Sequence, residues 1–324
     1  MTKKAPTIKD VAERAGVSVA TVSRTMNNKG YLSDEVKQKV NQAMKELNYV
    51  PNLLARSFNT KRSNVIGAII PTIENPYFAE LVYHIEKAAE AQGFKLLLCN
   101  SLNDTAMEQN YLQMLIANQV DGIIVGTHND EIDEYKIPNM PIVAIERYLN
   151  DQHIPTICCD NYQGGKLATE YLIQQNCQHI VCLTGLPRVN FPAYARRVAF
   201  QEVMTQHQRD VIFVEVEGLD PNTRQRQIQE QLERYPNIDG IFATDDVFAL
   251  LAEQAIRKST ILQSDIQIIG FDGTNLMRSL YPDLPTIKQN IERMAQLAVT
   301  TLLLLIDNEQ VDSLQTVPIE LYLP

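Results

Sequence analysis

The sequence predicts two folds in one chain: an all-α segment at the N-terminus, then a larger α/β body built on parallel sheets. Three observations carry this reading. Apolar residues near the start recur at helical spacing and are interrupted by a glycine, the charge balance changes sign near residue 62, and from Val65 onward short apolar runs alternate with amphipathic stretches. At 324 residues, 45% of them hydrophobic, the chain is long enough for two or three packed cores.

Thr7-Ile8-Lys9-Asp10 has the Ser/Thr-x-x-acid form that caps a helix start, and Ile8, Val11, Ala12 and Ala15 then fall on one face. Gly16 stops that helix, Val17 fills the corner, and Ser18 caps a second helix running to about Met26. On the second helix Val22, Thr25 and Met26 face inward, leaving Ala20, Ser23 and Arg24 on the outer side. A third helix runs from a Ser33 cap through Val36, Val40, Met44 and Leu47. Helix, tight glycine turn, helix is the arrangement in which the second helix enters the major groove of DNA.

Charge supports that reading. The whole chain is formally −10, but residues 1–62 hold twelve Lys and Arg against five Asp and Glu, a net of +7. The remaining 17 basic and 34 acidic residues give 63–324 a net of −17. A basic end on an acidic body points to phosphate contacts at that end alone.

Other classes recede. The start MTKKAPTIKD has no apolar run of a secretory signal, and the longest aliphatic block, 302–306, is far short of the roughly 20 residues that span a bilayer. A soluble cytoplasmic chain with no membrane partner is expected. Cys99, Cys158, Cys159, Cys177 and Cys182 fit no metal-ligand spacing and read as buried packing thiols. There is no H-E-x-x-H, triad signature, Walker loop or G-x-G-x-x-G, so no enzyme, metal or cofactor is expected.

Thr7-Ile8-Lys9-Asp10-Val11-Ala12, Ala15-Gly16-Val17-Ser18, Thr21-Val22-Ser23-Arg24, Tyr49-Val50-Pro51-Asn52 and Ala55-Arg56-Ser57 together resemble the headpiece of the LacI/GalR family of bacterial transcription regulators. The resemblance implies a helix-turn-helix headpiece over 1–49 and a hinge helix and linker over 50–62. It places Val19, Ala20 and Arg24 at base edges and Thr21, Ser23 and Asn27 on the backbone, with Thr7, Ser18, Tyr49 and Asn52 also at the DNA. Of the three readers only Arg24 has the fork for a bidentate contact to guanine, so Arg24 and DNA shape are expected to carry much of the discrimination. The hinge would order against its dimer partner in the minor groove through Leu54, Ala55, Arg56 and Phe58. Phe58 stands where the family usually has leucine, and phenylalanine is itself a wedge residue.

In the body, strands are predicted at 65–70, 94–99, 122–125, 142–145, 156–159, 180–183, 211–214, 240–243 and 266–271, with helices near 78–91, 106–118, 165–175, 193–207, 222–234 and 246–257. Nearly uniform apolar strands mean sheets covered on both faces, and nine of them suit two doubly wound parallel-sheet subdomains. Ligands of such sheets bind beyond strand carboxyl ends. That rule selects Tyr77 and Phe78, Thr127 and His128, Glu146 and Arg147, Arg196 and Arg197, Asp245 and Asp246, and Asp272. Carboxylates, arginine and aromatic faces suit a polyhydroxylated ligand.

Ala117-Asn118-Gln119-Val120-Asp121-Gly122-Ile123-Ile124, Ala243-Thr244-Asp245-Asp246 and Gly270-Phe271-Asp272-Gly273 extend the resemblance to the family's periplasmic-binding-protein-like core. It implies effector-binding and dimerisation over 63–324, with an N-subdomain at about 63–160 and 290–318 and a C-subdomain at about 161–289. Effector contacts carried over position by position are Tyr77, Phe78, Glu146, Arg196, Asp245, Asp272 and Gln289. The usual R-x-x-G-F reads Arg196-Arg197-Val198-Ala199-Phe200, which favours Arg196 over Arg197. Lys29-Gly30-Tyr31-Leu32-Ser33 and Gly126-Thr127-His128-Asn129 look most like the sucrose-utilisation repressors of the family.

The expected protein is a homodimeric, sequence-specific repressor of carbohydrate-utilisation genes that binds pseudo-palindromic operator DNA and is released by a small sugar effector. The alternative is a catabolite-control regulator that takes a phosphorylated carrier protein as corepressor. That role needs a basic docking patch, and 63–324 has no evident Lys/Arg cluster. A solute-binding protein or an α/β enzyme would lack the basic headpiece or need a catalytic constellation.

Overall fold

The computed structural model describes residues 6–26, 32–49, 62–127, 135, 137–149, 154–217 and 221–324. The chain divides into two compact units between Ser63 and Asn64.

The first unit holds α1 (Ile8–Ala15), α2 (Val19–Met26) and α3 (Asp34–Glu46). Asp10 accepts hydrogen bonds from the Thr7 amide at 2.7 Å and from its hydroxyl at 2.8 Å, which fixes the start of α1. Gly16 closes it at φ +67°, a left-handed conformation that costs glycine no Cβ clash. Ser18 Oγ accepts from the Thr21 amide at 3.1 Å and starts α2. Ser33 stands at the N-cap of α3 without a side-chain capping bond, and Asp34 and Glu35 supply negative charge to that first turn instead. Val11, Ala12, Val22, Val40 and Ala43 form the core, with Met26, Met44, Leu47 and Tyr49 packed around it. Arg14 Nε donates to Glu46 Oε2 at 2.6 Å, tying α1 to α3.

The second unit is two six-stranded sheets. Its strands are β1 (Val65–Ile70), β2 (Lys95–Asn100), β3 (Gly122–Val125), β4 (Ile142–Ile145), β5 (Thr156–Cys159), β6 (Ile180–Gly185), β7 (Ile212–Val216), β8 (Gly240–Ala243), β9 (Gln267–Asp272), β10 (Thr286–Gln289), β11 (Leu314–Val317) and β12 (Ile319–Tyr322). The first sheet runs β11-β5-β4-β3-β1-β2 and the second β12-β10-β9-β8-β6-β7. Every pairing is parallel except β10 with β12. Strands β3, β4, β5 and β8 are buried along their whole length, as sheets covered on both faces require.

Helices α4 (Pro76–Ala91), α5 (Thr105–Ala117) and α11 (Ile291–Ile306) cover the first sheet. Helices α6 (Asn161–Gln174), α7 (Tyr194–Gln206), α8 (Pro221–Leu232) and α9 (Asp246–Lys258) cover the second, and the short α10 (Asn275–Leu280) follows β9. Gly165 lets α6 lie directly on α7, since a Cβ there would come within 2.6 Å of the Arg196 carbonyl. The chain passes between the sheets three times: after β5, after β10, and through Pro318 between β11 and β12.

Nine strands fall where the apolar runs predict, five with the same bounds and four with ends shifted by one or two residues. Strands β10, β11 and β12 and helices α10 and α11 are additions. Lys288 and Gln289 break the apolar pattern of β10, and Gln315 and Glu320 that of the edge strands β11 and β12. Among the described residues no helix is long and apolar enough to cross a membrane.

Candidate functional site

The outer face of α2 carries the predicted DNA readers. Val22 is fully buried and holds the helix to the core, while Val19 is 40% exposed and Ala20 and Arg24 are also open to solvent. Ser18 and Thr21 share a hydroxyl hydrogen bond of 2.9 Å, and Thr25 Oγ1 donates to the Thr21 carbonyl at 2.9 Å. Ser23 is half-buried, Thr7 is engaged with Asp10, and Tyr49 packs against the headpiece core. Asn27, Asn52, Leu54, Ala55, Arg56 and Phe58 lie outside the described residues.

The second group lies at strand carboxyl ends of both sheets. Tyr77 and Phe78 open α4 after β1, where the Asn75 side chain accepts from the Tyr77 amide at 2.8 Å. Their rings meet edge to face, centroids 5.1 Å apart. Glu146 follows β4 at φ +51°. Its Oε1 accepts from the Cys159 amide at 2.6 Å and its Oε2 from Asn161 Nδ2 at 2.9 Å.

From the second sheet Arg196, 6% exposed on α7, lies 3.5 Å over the Phe271 ring. It donates through Nε to Asn161 Oδ1 and through Nη1 to the Thr244 carbonyl, each at 2.6 Å. Asp272, at φ +112° on the end of β9, has its Oδ1 at 3.9 Å from that Nη1 and accepts from Gln289 Nε2 at 2.7 Å. The Tyr77 hydroxyl and Gln289 Oε1 are buried and have no hydrogen-bond partner among the described residues.

These groups act on one another. Burial drives the Tyr77 phenol well up, reinforced by the charges of Glu146 and Asp272 and opposed by Arg196. Burial also raises the carboxyls of Glu146 and Asp272, against the pull of Arg196. The site therefore offers hydrogen-bond acceptors on two acids and an amide, donors on an arginine and a phenol, and two aromatic rings. Asp245 stands beside it but also caps α9, accepting from the Phe248 amide at 2.6 Å, and burial raises its carboxyl too.

Thr127 and Arg147 go elsewhere. Both are buried with Glu108 of α5, whose Oε1 accepts from Thr127 Oγ1 at 2.7 Å, from Arg147 Nη1 at 3.2 Å and from the Tyr135 hydroxyl. Thr127 and Arg147, expected at the effector, thus meet Glu108 and not the group around Glu146 and Arg196, the left-handed turn at Glu146 sending consecutive side chains to different environments. Arg197 likewise pairs with Glu215 at 2.7 Å and stacks 4.0 Å over Phe213, leaving Arg196 as the arginine of the site. Asp246 supports the fold, accepting from the Gly273 amide at 2.8 Å and from Thr286 Oγ1 at 2.6 Å. His128 lies outside the described residues.

Asn161 escaped the sequence reading, although the strand-end rule applied to β5 points straight at it. Nothing in the sequence marks Glu108. Among the described residues no three His, Cys, Asp or Glu side chains are placed to hold a metal ion.

Residues 7–52 match the family of bacterial regulatory proteins, lacI family, and residues 66–310 match a periplasmic binding protein domain. The chain is 41% identical to a sucrose operon repressor of Pediococcus pentosaceus over 98% of each chain. It is 40% identical to a ribose operon repressor of Halalkalibacterium halodurans, covering 95% of this chain and 92% of that one. A solved lac repressor dimer, bound to operator and the anti-inducer ONPF, matches with a TM-score of 0.84, 27% identity and 98% coverage of both chains. The chain belongs to the lacI family of bacterial regulatory proteins, DNA-binding transcriptional repressors and not enzymes, with a periplasmic-binding-protein body behind a helix-turn-helix headpiece.

Proposed function

We propose that this repressor controls carbohydrate-utilisation genes and leaves its operator when a small, neutral sugar enters the cleft of Tyr77, Phe78, Glu146, Arg196, Asp272 and Gln289. The observation that carries the reading is two buried polar atoms, Tyr77 Oη and Gln289 Oε1, that have no partner among the described residues and lie beside those acids and Arg196. A polyol supplies a partner to each, and carboxyls that burial raises can both donate to and accept from its hydroxyls. The names of the sucrose and ribose operon repressors among its relatives support a sugar.

The repressor works as a cytoplasmic homodimer on a pseudo-palindromic operator, its two headpieces reading half-sites and residues 50–62 serving as hinge. Tyr83, Leu276 and Leu280 are 59%, 55% and 62% exposed and offer apolar surface for a second copy. Sugar binding shifts the balance between the operator-binding form and a form that releases DNA, through its different affinity for the two.

Thermal-shift screening against sucrose, D-fructose, D-ribose, maltose and their phosphates, followed by operator release with each hit, tests the reading. A free sugar is expected to raise the melting temperature and displace DNA. No shift with any sugar removes the inducer role, and a shift with phosphates alone removes the neutral ligand.

A further inference from the structure

Asn161 stands where the chain leaves β5 for α6, the first passage from one sheet to the other, and is 3% exposed. Both ends of its amide are engaged, each with a different half. Nδ2 donates to Glu146 Oε2 at 2.9 Å and to the Cys159 carbonyl at 3.2 Å, on the side of the first sheet. Oδ1 accepts from Arg196 Nε at 2.6 Å, on the side of the second. An arginine only donates, so Arg196 Nε needs the amide oxygen, and this orientation leaves Nδ2 to donate to Glu146 Oε2. From Arg196 the contacts continue past Asp272 to Gln289, the last residue of β10 before the second passage. The line Glu146–Asn161–Arg196–Asp272–Gln289 thus joins two of the three passages through the cleft itself.

We propose that Asn161 is the positioning residue of the cleft: it ties the carboxylate of one half to the guanidinium of the other, so that a ligand meets them as one unit and its binding is transmitted to the placement of the halves. The proposal rests on the reading of this cleft as the sugar site. An aspartate at 161 would keep an acceptor for Arg196 but turn a carboxylate on Glu146. A glutamine at 146 would then supply a donor and restore the contact with its polarity reversed.

The test is a substitution cycle in the full-length protein, Asn161→Asp, Glu146→Gln and both together. Two quantities are read: the urea midpoint of unfolding without sugar, and the concentration of sucrose, D-fructose or D-ribose that releases half of the operator. In the wild-type background Asn161→Asp is expected to lower the midpoint and to raise the half-release concentration about tenfold or more. In the Glu146→Gln background the same substitution is expected to act with opposite sign on both. Additive effects on the unfolding midpoint overturn the tie. A sign reversal in unfolding with no change in half-release overturns the positioning role. If none of the three sugars releases the wild-type protein, the sugar reading fails, while a sign reversal in unfolding still supports the tie.

Discussion

Arg147 Nη1 lies 3.2 Å from Glu108 Oε1, and both side chains are 2% exposed. Thr127 and Tyr135 donate to the same carboxylate, and the Arg147 guanidinium lies 5.3 Å from the Tyr135 ring centre. A buried pair of this kind adds little over an apolar pair, but removing one partner strands a charge. Arg147→Ala is therefore expected to lower the unfolding free energy by about 3–5 kcal/mol in urea denaturation. Adding Glu108→Gln should return part of that loss. Equal stability of Arg147→Ala and wild type would mean that the pair is not held as described.

The same cluster marks the limit of what the sequence discloses. Thr127 and Arg147 satisfy the strand-end rule as fully as Glu146 and Asp272 do, because the rule finds loops and says nothing of which way a side chain leaves the backbone. The deciding features are the φ of +51° at Glu146 and an acid on α5 placed by tertiary packing. Where one residue has one local job, reading worked: the Thr7–Asp10 cap, the Gly16 stop and the uniformly apolar strands depend only on near neighbours. Strand β10 went unread because Lys288 and Gln289 interrupt its apolar run, Gln289 serving as hydrogen-bond donor to Asp272.

Asp246 gives the body a pH dependence. Burial pushes its carboxyl up to about 7, partly offset by the bonds from Thr286 and Gly273. A carboxyl raised on folding binds its proton more tightly in the native state, so its stabilising share is complete below the unfolded value near 4 and is lost as pH rises through about 7. Asp245 and Asp272 are shifted in the same direction. The melting temperature of the unliganded protein is expected to fall between about pH 5 and pH 8. Asp246→Asn can still accept from Gly273 and donate to a reoriented Thr286 hydroxyl, so it should flatten that fall without unfolding the protein. An unchanged slope in calorimetry would remove Asp246 as its source.

At the headpiece, Arg24 is the exposed cation of the recognition helix, whereas Arg14 is held by Glu46. Arg24→Ala is expected to weaken operator binding by about 1–3 kcal/mol and to relax preference at one base pair of each half-site. Arg14→Ala should leave that preference in place. Fluorescence anisotropy with operators altered one base pair at a time distinguishes the two. If Arg24→Ala weakened all of them equally, the side chain would be a phosphate contact and not a reader.

Arg196 and Arg197 are neighbours with separable roles. Arg196 touches Asn161, Thr244 and Phe271 through three different parts of one planar fork, and a lysine has the charge without that plane. Arg196→Lys is accordingly expected to cost at least about tenfold in sugar affinity by isothermal calorimetry. Arg197 instead braces the surface of the second sheet through Glu215 and Phe213, so Arg197→Lys should lower the melting temperature modestly and leave the sugar titration unchanged. A loss of affinity in Arg197→Lys equal to that in Arg196→Lys would show that the two side chains act on the cleft together.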